Sequence, residues 1–176
     1  MQCQLTKVCA IIMPLTEKLK SVSLLGIRLI LAYTFFAPAM MKISDISSTA
    51  MWFESMGIPL PTLNAYMAAG TEMAGVVLLT LGVFSRLISI PLLVTMLVAF
   101  VTVHGANGFN VISETMQWTD AYVNGDMIEG SIVFLQNGYE NILYYSLMLF
   151  VIVTHGPGAL SIDHFILKKM NEARED

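Results

Sequence analysis

The sequence predicts an all-α membrane protein, a four-transmembrane-helix bundle with N- and C-termini cytoplasmic and a structured outer loop. Of its 176 residues, 56% are hydrophobic and 12% are charged, about half the charged fraction of an ordinary soluble domain. Four apolar segments reach the length of about 20 residues that a helix needs to cross the hydrocarbon core. The positively charged residues also collect on one side of these segments, as they do in membrane proteins.

The predicted spans follow one another along the chain at about 22–41, 63–84, 87–104 and 138–155. The second and third are joined only by Ser85 and Arg86, which predicts a tight antiparallel helical hairpin. Pro59 and Pro61 stand ahead of the second span, where proline is tolerated because the first amides of a helix need no internal partner.

The spans divide the chain into three parts. Residues 1–21 are predicted to be a cytoplasmic or interfacial lead-in, 22–163 a single membrane domain, and 164–176 a cytoplasmic tail. Cys3 and Cys9 both precede the first span, so on the cytoplasmic side they are reduced thiols and no disulfide is expected.

The distribution of charge predicts the orientation. The basic residues that fall on one side if both termini are cytoplasmic are Lys7, Lys18, Lys20, Arg86, Lys168, Lys169 and Arg174. Lys42 falls on the other side, and the loop 105–137 holds four acidic residues and no Lys or Arg. The loop is therefore predicted outside and the protein is predicted to be a multi-pass protein of the bacterial inner membrane. With a net charge of −4 nucleic acid is not expected as a partner; the expected partners are the lipid bilayer and either a membrane protein or a second copy of the chain.

The outer loop is too long for plain coil. The stretch 113–123 predicts a helix with Ser113 as N-cap and with Trp118 and Tyr122 on one face. The stretch 131–138 predicts either a short strand or a segment that dips back toward the bilayer.

Ionisable residues in or at the ends of the spans are candidates for function, because a charge in hydrocarbon costs about 2.5–3.5 kcal/mol. They are Arg28, Glu72, His104, Glu140 and His155. A rise of 1.5 Å per residue places Glu72 and Arg28 roughly 8 Å apart in depth, within reach of long side chains on adjacent helices. Two interpretations stay open: a structural ion pair with Arg28, or a ligand that Glu72 holds from the outer side.

Glu72, His104 and Glu140 are predicted to line a cavity that opens outward, with Asn107 at its mouth. A carboxylate with an imidazole suits proton transfer, hydrogen bonding to a quinone-like carbonyl, or weak binding of a divalent metal. The spacing is not a metal signature, so no metal site is predicted. The alternative for His104, and for His155, is an ordinary interfacial hydrogen-bonding residue.

Small residues surround Glu72. Ala65 with Ala69 and Gly70 with Ala74 form small-xxx-small pairs, which let helices approach closely in lipid. The second span is therefore predicted to pack against protein on more than one side.

Four stretches together resemble the DoxX family, most closely its HvfX-type branch. They are RLILAYTFFAPAMMKI (28–43), the stretch 65–99 with its E-x-x-G and LLTLG motifs, VTVHGANGF (101–109), and the closing 138–163. One departure is Pro38-Ala39, where the family has glycine before the lysine; proline is expected to kink the first helix near its outer end.

The resemblance implies a four-helix inner-membrane protein without a soluble catalytic module. DoxX relatives are linked to thiosulfate:quinone oxidoreduction and to thiol and oxidative-stress complexes, and the HvfX-type branch accompanies systems that make small metal-responsive peptides. The family-like polar set is Arg28, Lys42, Glu72, Arg86, His104, Asn107, Glu140 and Asp163.

The predicted function is that of an accessory of a redox- or metal-stress-linked system, with a quinone as the cofactor left open. The alternatives are an oligomeric transporter or exporter of a small peptide or metal complex, and a membrane scaffold for a partner complex. The sequence has no C-x-x-C, haem motif or nucleotide loop, so whether the protein is an enzyme stays open.

Overall fold

A computed structural model describes the backbone of residues 2–110, 116–118, 121–123, 126–128, 131–133 and 138–175. Side chains are described for residues 16, 18–110 and 138–174. The chain forms two compact units, Met1–Thr95 with Ser146–Asp176, and Met96–Tyr145.

Helix α1 is continuous from Gln2 to Ser44. It contains the first predicted span, and its part Lys18–Ser44 is long and apolar enough to cross a membrane. Pro38 lies inside it without ending it. One face is buried, with Leu31 wholly so, while Tyr33 on another face is 82% exposed.

Helix α2 (Ile46–Ser55) lies in a connection for which the sequence analysis predicted no element. Asp45 caps it, accepting hydrogen bonds from the Ser48 amide at 2.9 Å and the Ser48 hydroxyl at 2.6 Å. These bonds lower the pKa of the Asp45 carboxyl, the hydroxyl having the larger effect. The apolar side of α2 packs through Ala50 and Phe53 against Ala65 of the next helix.

The predicted hairpin of the second and third spans is formed by α3 (Pro61–Leu81) and α4 (Ser85–Ala99). Pro61 begins α3, two residues before the predicted span, and Gly82 ends it at a positive φ of 71°. The two helices touch where a Cβ on Gly75 would lie 2.8 Å from Leu92. The apolar run continues beyond α4 as a π-helix, Phe100–His104, and a 3₁₀ turn, Gly105–Asn107.

The small residues of α3 divide between two environments. Ala65, Ala69 and Gly75 lie on a buried stripe that also contains Glu72 and Leu79. Gly70 is exposed, and a Cβ there would meet nothing within 4 Å. The predicted close packing is therefore confirmed for one side of the helix, and the Gly70 side is open.

The loop between α4 and the last apolar helix contains four short strands, β1 (Met116–Trp118), β2 (Ala121–Val123), β3 (Asp126–Ile128) and β4 (Ser131–Val133). β1 pairs antiparallel with β4, and β2 with β3. Trp118 opposes Ser131 and Ala121 opposes Ile128. The two strand pairs therefore have the same register, the register of a single hairpin.

The helix predicted over 113–123 is therefore wrong where the backbone is described, and its proposed cap Ser113 lies outside the described residues. The sequence AYV-NG-DMI explains the difference, because Asn-Gly between two short apolar runs favours a two-residue hairpin turn. The strand interpretation of 131–138 is confirmed for Ser131–Val133, and residues 134–137 lie outside the described part.

The chain closes with α5 (Glu140–His155) and α6 (Ile162–Glu175). Among the described residues, two helices are long and apolar enough to cross a membrane, Lys18–Ser44 and Ser85–Asn107; α5 is apolar but shorter. Many large apolar side chains are exposed on α1, α3, α4 and α5, an arrangement that suits contact with lipid rather than water. The mainly helical, membrane-type fold is confirmed, while the four-helix bundle and the orientation of the termini stay predictions.

Candidate functional site

The most deeply buried carboxylate of the described chain is paired with a lysine. The Lys42 ammonium lies 2.8 Å from Oε2 and 3.0 Å from Oε1 of Glu72. The two side chains are 12% and 4% exposed. This pair joins the C-terminal end of α1 to the middle of α3, and it forms the candidate site.

The direction of the two helices and the small residues beside Glu72 bring the pair together. Helices α1 and α3 run antiparallel, because Lys42 contacts Glu72, while Arg28, which precedes Lys42 in α1, contacts Leu79, which follows Glu72 in α3. On α3 the positions three residues before and after Glu72 are Ala69 and Gly75, whose small size lets another helix come close.

The pair is buried and the bonds between its members are short. Besides the carboxylate, the ammonium has the carbonyl of Pro38 at 3.5 Å, one turn back in its own helix. Hydrogen bonds between ionised groups are roughly twice as strong as those between neutral ones. The pair thus supplies an acceptor and a donor of protons within an apolar region, the combination that general acid–base chemistry or binding of a carbonyl ligand needs.

Arg28 does not pair with Glu72, so the predicted ion pair between them is wrong. Its guanidinium, only 1% exposed, donates to backbone carbonyls. The acceptors are Leu79 at 2.9 Å, Thr80 at 3.4 Å, Pro157 at 2.8 Å and Leu160 at 3.1 Å. The last carbonyls of a helix have no internal partner, so Arg28 satisfies the end of α3 and ties it to the turn after α5. Its role is structural.

The surroundings of Arg28 are built to fit it. A Cβ on Gly82 would lie 2.6 Å from the guanidinium, so only glycine leaves enough room there. Asp163 accepts from the Phe84 amide at 3.1 Å, and its own amide donates to the Gly82 carbonyl at 3.1 Å. The start of α6 is thereby fastened to the turn between α3 and α4.

The other predicted site residues belong to the unit Met96–Tyr145. His104 ends the π-helix, and Asn107 donates to the Val103 carbonyl at 3.1 Å. π-Helical turns are rare and occur frequently at functional sites. The Glu140 carboxylate accepts from the Tyr144 hydroxyl at 2.8 Å.

Two segments of this unit are brought together, the one that follows the π-helix and the one that opens α5. The amides of Tyr139 and Glu140 donate to the carbonyls of Gly108 and Phe109 at 3.1 and 3.0 Å. The Tyr139 ring lies edge-on to Phe100 and Phe109, with centroids 5.3 and 5.5 Å apart. A Cβ on Gly138 would collide with the Asn110 and Gly108 carbonyls. That these residues share a cavity with Glu72 stays a prediction.

His155 closes α5 as an exposed residue beside the Thr154 hydroxyl, 2.9 Å away, in accord with the interfacial interpretation. The residue that reasoning from spacing missed is Lys42. It stood in the family-like polar set only by resemblance. A signal was present, because Lys42 ends an apolar span whose antiparallel partner carries the one carboxylate of α3.

Long apolar helices whose large side chains are mostly exposed define the class of this protein, a helical, membrane-associated protein. Comparison with protein families agrees: residues 23–105 match the model of the DoxX family, which is membrane-associated. Arg28, Lys42 and Glu72 all lie within the matched residues.

The chain is also similar to an uncharacterized protein of Haemophilus influenzae. The two are 28% identical over 155 residues, covering 84% of this chain and 85% of the relative. No solved structure gives a significant match to the chain.

Proposed function

We propose that this protein is a multi-pass inner-membrane accessory of a redox- or metal-stress-linked system, of the HvfX-type branch, and that it binds a quinone beside Lys42 and Glu72. The observation that supports this function is the buried ion pair. Ionisable groups placed in an apolar core mark functional sites, and the carbonyl oxygens of a quinone need hydrogen-bond donors such as an ammonium group.

In this proposal, quinone binding changes only the contacts of Lys42 and Glu72. A quinone carbonyl takes the place of one carboxylate oxygen in the Lys42 contacts, while the second oxygen of Glu72 keeps the ammonium charged. The quinone ring lies against the apolar residues of the helices. Binding itself makes and breaks no covalent bond, and the Glu72 carboxylate stays beside the bound quinone as a hydrogen-bond acceptor.

The membrane placement that we propose has four spans, with α3 and α5 joining the two long apolar helices and both termini inside. The native cysteines provide a test. In spheroplasts a membrane-impermeant maleimide should leave Cys3 and Cys9 unlabelled until the membrane is permeabilised, whereas Ser131→Cys in a C3S/C9S background should react at once. Labelling of the native cysteines in sealed spheroplasts would show the opposite orientation.

Quinone binding is tested with purified protein in detergent. Extraction should recover endogenous quinone, and a short-chain quinone should bind the wild-type protein. Lys42→Met together with Glu72→Met should bind it at least about tenfold more weakly, since a hydrogen bond to a charged group contributes about 1.5–3 kcal/mol. Glu54→Gln, on the exposed surface of α2, is the matched control. Equal binding by all three proteins would refute the quinone proposal.

A scaffold is the second candidate, and one observation favours it: both oxygens of Glu72 are already engaged by Lys42. A scaffold predicts that the double variant keeps full activity of the associated pathway and still assembles with its partner. The quinone proposal predicts loss of pathway activity with assembly intact.

A further inference from the structure

A cleft of about 620 Å³ lies in the unit Met1–Thr95 with Ser146–Asp176, away from the Lys42–Glu72 pair. Its walls come from the end of the predicted lead-in, the turn between α3 and α4, the turn after α5, and the first turns of α6. Four basic or potentially basic side chains from these separate segments line it: Lys20, Arg86, His155 and His164.

One acidic side chain also lines the cleft, and its carboxylate is already committed. Asp163 accepts from the Phe84 amide at 3.1 Å and faces the buried Arg28 charge. The Arg86 guanidinium lies across the backbone of Gly156, with Nε and Nη2 each 3.0 Å from the place of a Cβ. Gly156 has a positive φ of 79°, so this close approach depends on glycine. The charge balance in the cleft favours an anion.

The rest of the lining is apolar and continues outward. Phe84 and Leu87 line the cleft and are 60% and 63% exposed, and Leu167 of α6, which also lines it, is 59% exposed. Helix α6 also exposes Phe165 and Met170 while carrying a row of charges, the pattern of a helix that lies in a membrane interface. The ligand therefore needs both an anionic head and an apolar body.

We propose that this cleft binds an acidic phospholipid, with its phosphate at Arg86 and its acyl chains along Phe84 and Leu87. Arginine suits this role because its planar fork matches phosphate oxygens with two parallel hydrogen bonds. Lys20 and the two histidines add donors around the headgroup. The proposal does not depend on quinone binding, because none of these residues belongs to the Lys42–Glu72 pair.

The experiment measures lipid binding to the full chain by native mass spectrometry, after release from mixed micelles of dioleoyl-phosphatidylglycerol and dioleoyl-phosphatidylcholine. We expect one phosphatidylglycerol to be retained in preference to phosphatidylcholine. Arg86→Gln should weaken that retention about tenfold or more, and Arg86→Lys should restore part of it. Lys169→Gln removes an exposed charge from α6 outside the cleft, and it should leave retention unchanged.

Two further arms keep the test decisive. Because Arg86 also supports the turn at Gly156, His164→Gln, at an exposed position, provides a variant that leaves that turn intact and should weaken retention severalfold. Inorganic phosphate at millimolar concentration should not displace the lipid. Equal retention of the two lipids, equal behaviour of R86Q and K169Q, or displacement by inorganic phosphate would each overturn the lipid assignment.

Discussion

Removing one partner of the Lys42–Glu72 pair should be far more damaging than removing both. In Lys42→Met a carboxylate that is 4% exposed loses both its counter-ion and the donor that its two oxygens accept from. In Glu72→Met the ammonium loses the charge that neutralises it. The double variant Lys42→Met with Glu72→Met leaves two apolar side chains of similar volume in contact.

The geometry provides the magnitude. At 2.8 Å and an effective dielectric constant of about 20, the attraction between two unit charges is about 6 kcal/mol. Desolvation of each ion costs several kcal/mol, so the intact pair contributes little net stability. Each single substitution should lower the free energy of unfolding by about 3–5 kcal/mol, and the double substitution by no more than about 1 kcal/mol.

The assay is reversible unfolding in mixed micelles with increasing SDS, followed by circular dichroism at 222 nm, for the four proteins of the cycle. Glu54→Gln is again the control and should change the free energy of unfolding by less than about 0.5 kcal/mol. If the effects of the single variants simply add in the double variant, the two residues are not coupled and the pair does not exist as described.

Three more predictions test the frame around the site. Gly82→Ala should lower the free energy of unfolding by about 2 kcal/mol or more, because the new Cβ would lie 2.6 Å from Arg28 and the φ of Gly82 is positive. Unfolding in SDS measures this change, and an unchanged midpoint would contradict the Arg28 network. Gly75→Val should cost about 1–3 kcal/mol by overpacking against Leu92, and a variant as stable as wild type would show that α3 and α4 do not touch there. The capping bond at Asp45 should persist from neutral pH to about pH 5 and weaken as pH falls below about 4. The folded-state pKa of Asp45 lies below the unfolded value, so the stabilisation is lost as the carboxylate gains a proton. The protection of the amides in the first turn of α2, relative to their intrinsic exchange rate at each pH, should fall over that interval, and an equal fall in Asp45→Ala would contradict this assignment.

The sequence located the important charges but not their partners. Arg28 and Glu72 stood out because apolar segments rarely contain ionisable groups. Depth along a helix cannot choose between two cations, since a lysine at the end of one helix and an arginine farther in lie within similar reach of the same carboxylate. Which cation pairs with Glu72 depends on the unbonded carbonyls at the end of α3. Those carbonyls accept hydrogen bonds from Arg28, so Lys42 pairs with Glu72.

Local patterns were decisive for some elements and misleading for others. Pro59 and Pro61 indicated the start of α3 to within two residues, because proline fits the first turn of a helix. The outer loop was different: the i, i+4 spacing of Trp118 and Tyr122 suggested a helix, yet the chain forms short strands. Helix α2 was not predicted because its sequence has no long apolar periodicity. The hydrogen bonds by which Asp45 caps it were identified only in the structure.

Arg28 and Lys42, the two buried cations of α1, differ in how much the fold depends on their charge. Arg28 satisfies four backbone carbonyls that no apolar side chain could satisfy, so the fold itself requires a donor at that position. Lys42 and Glu72 mainly satisfy each other, and two apolar residues would fill the same space at nearly equal stability. A chain that needed only packing there would have no use for two opposite charges in an apolar setting. The pair is therefore better explained by a ligand or a proton that it handles than by the stability it provides.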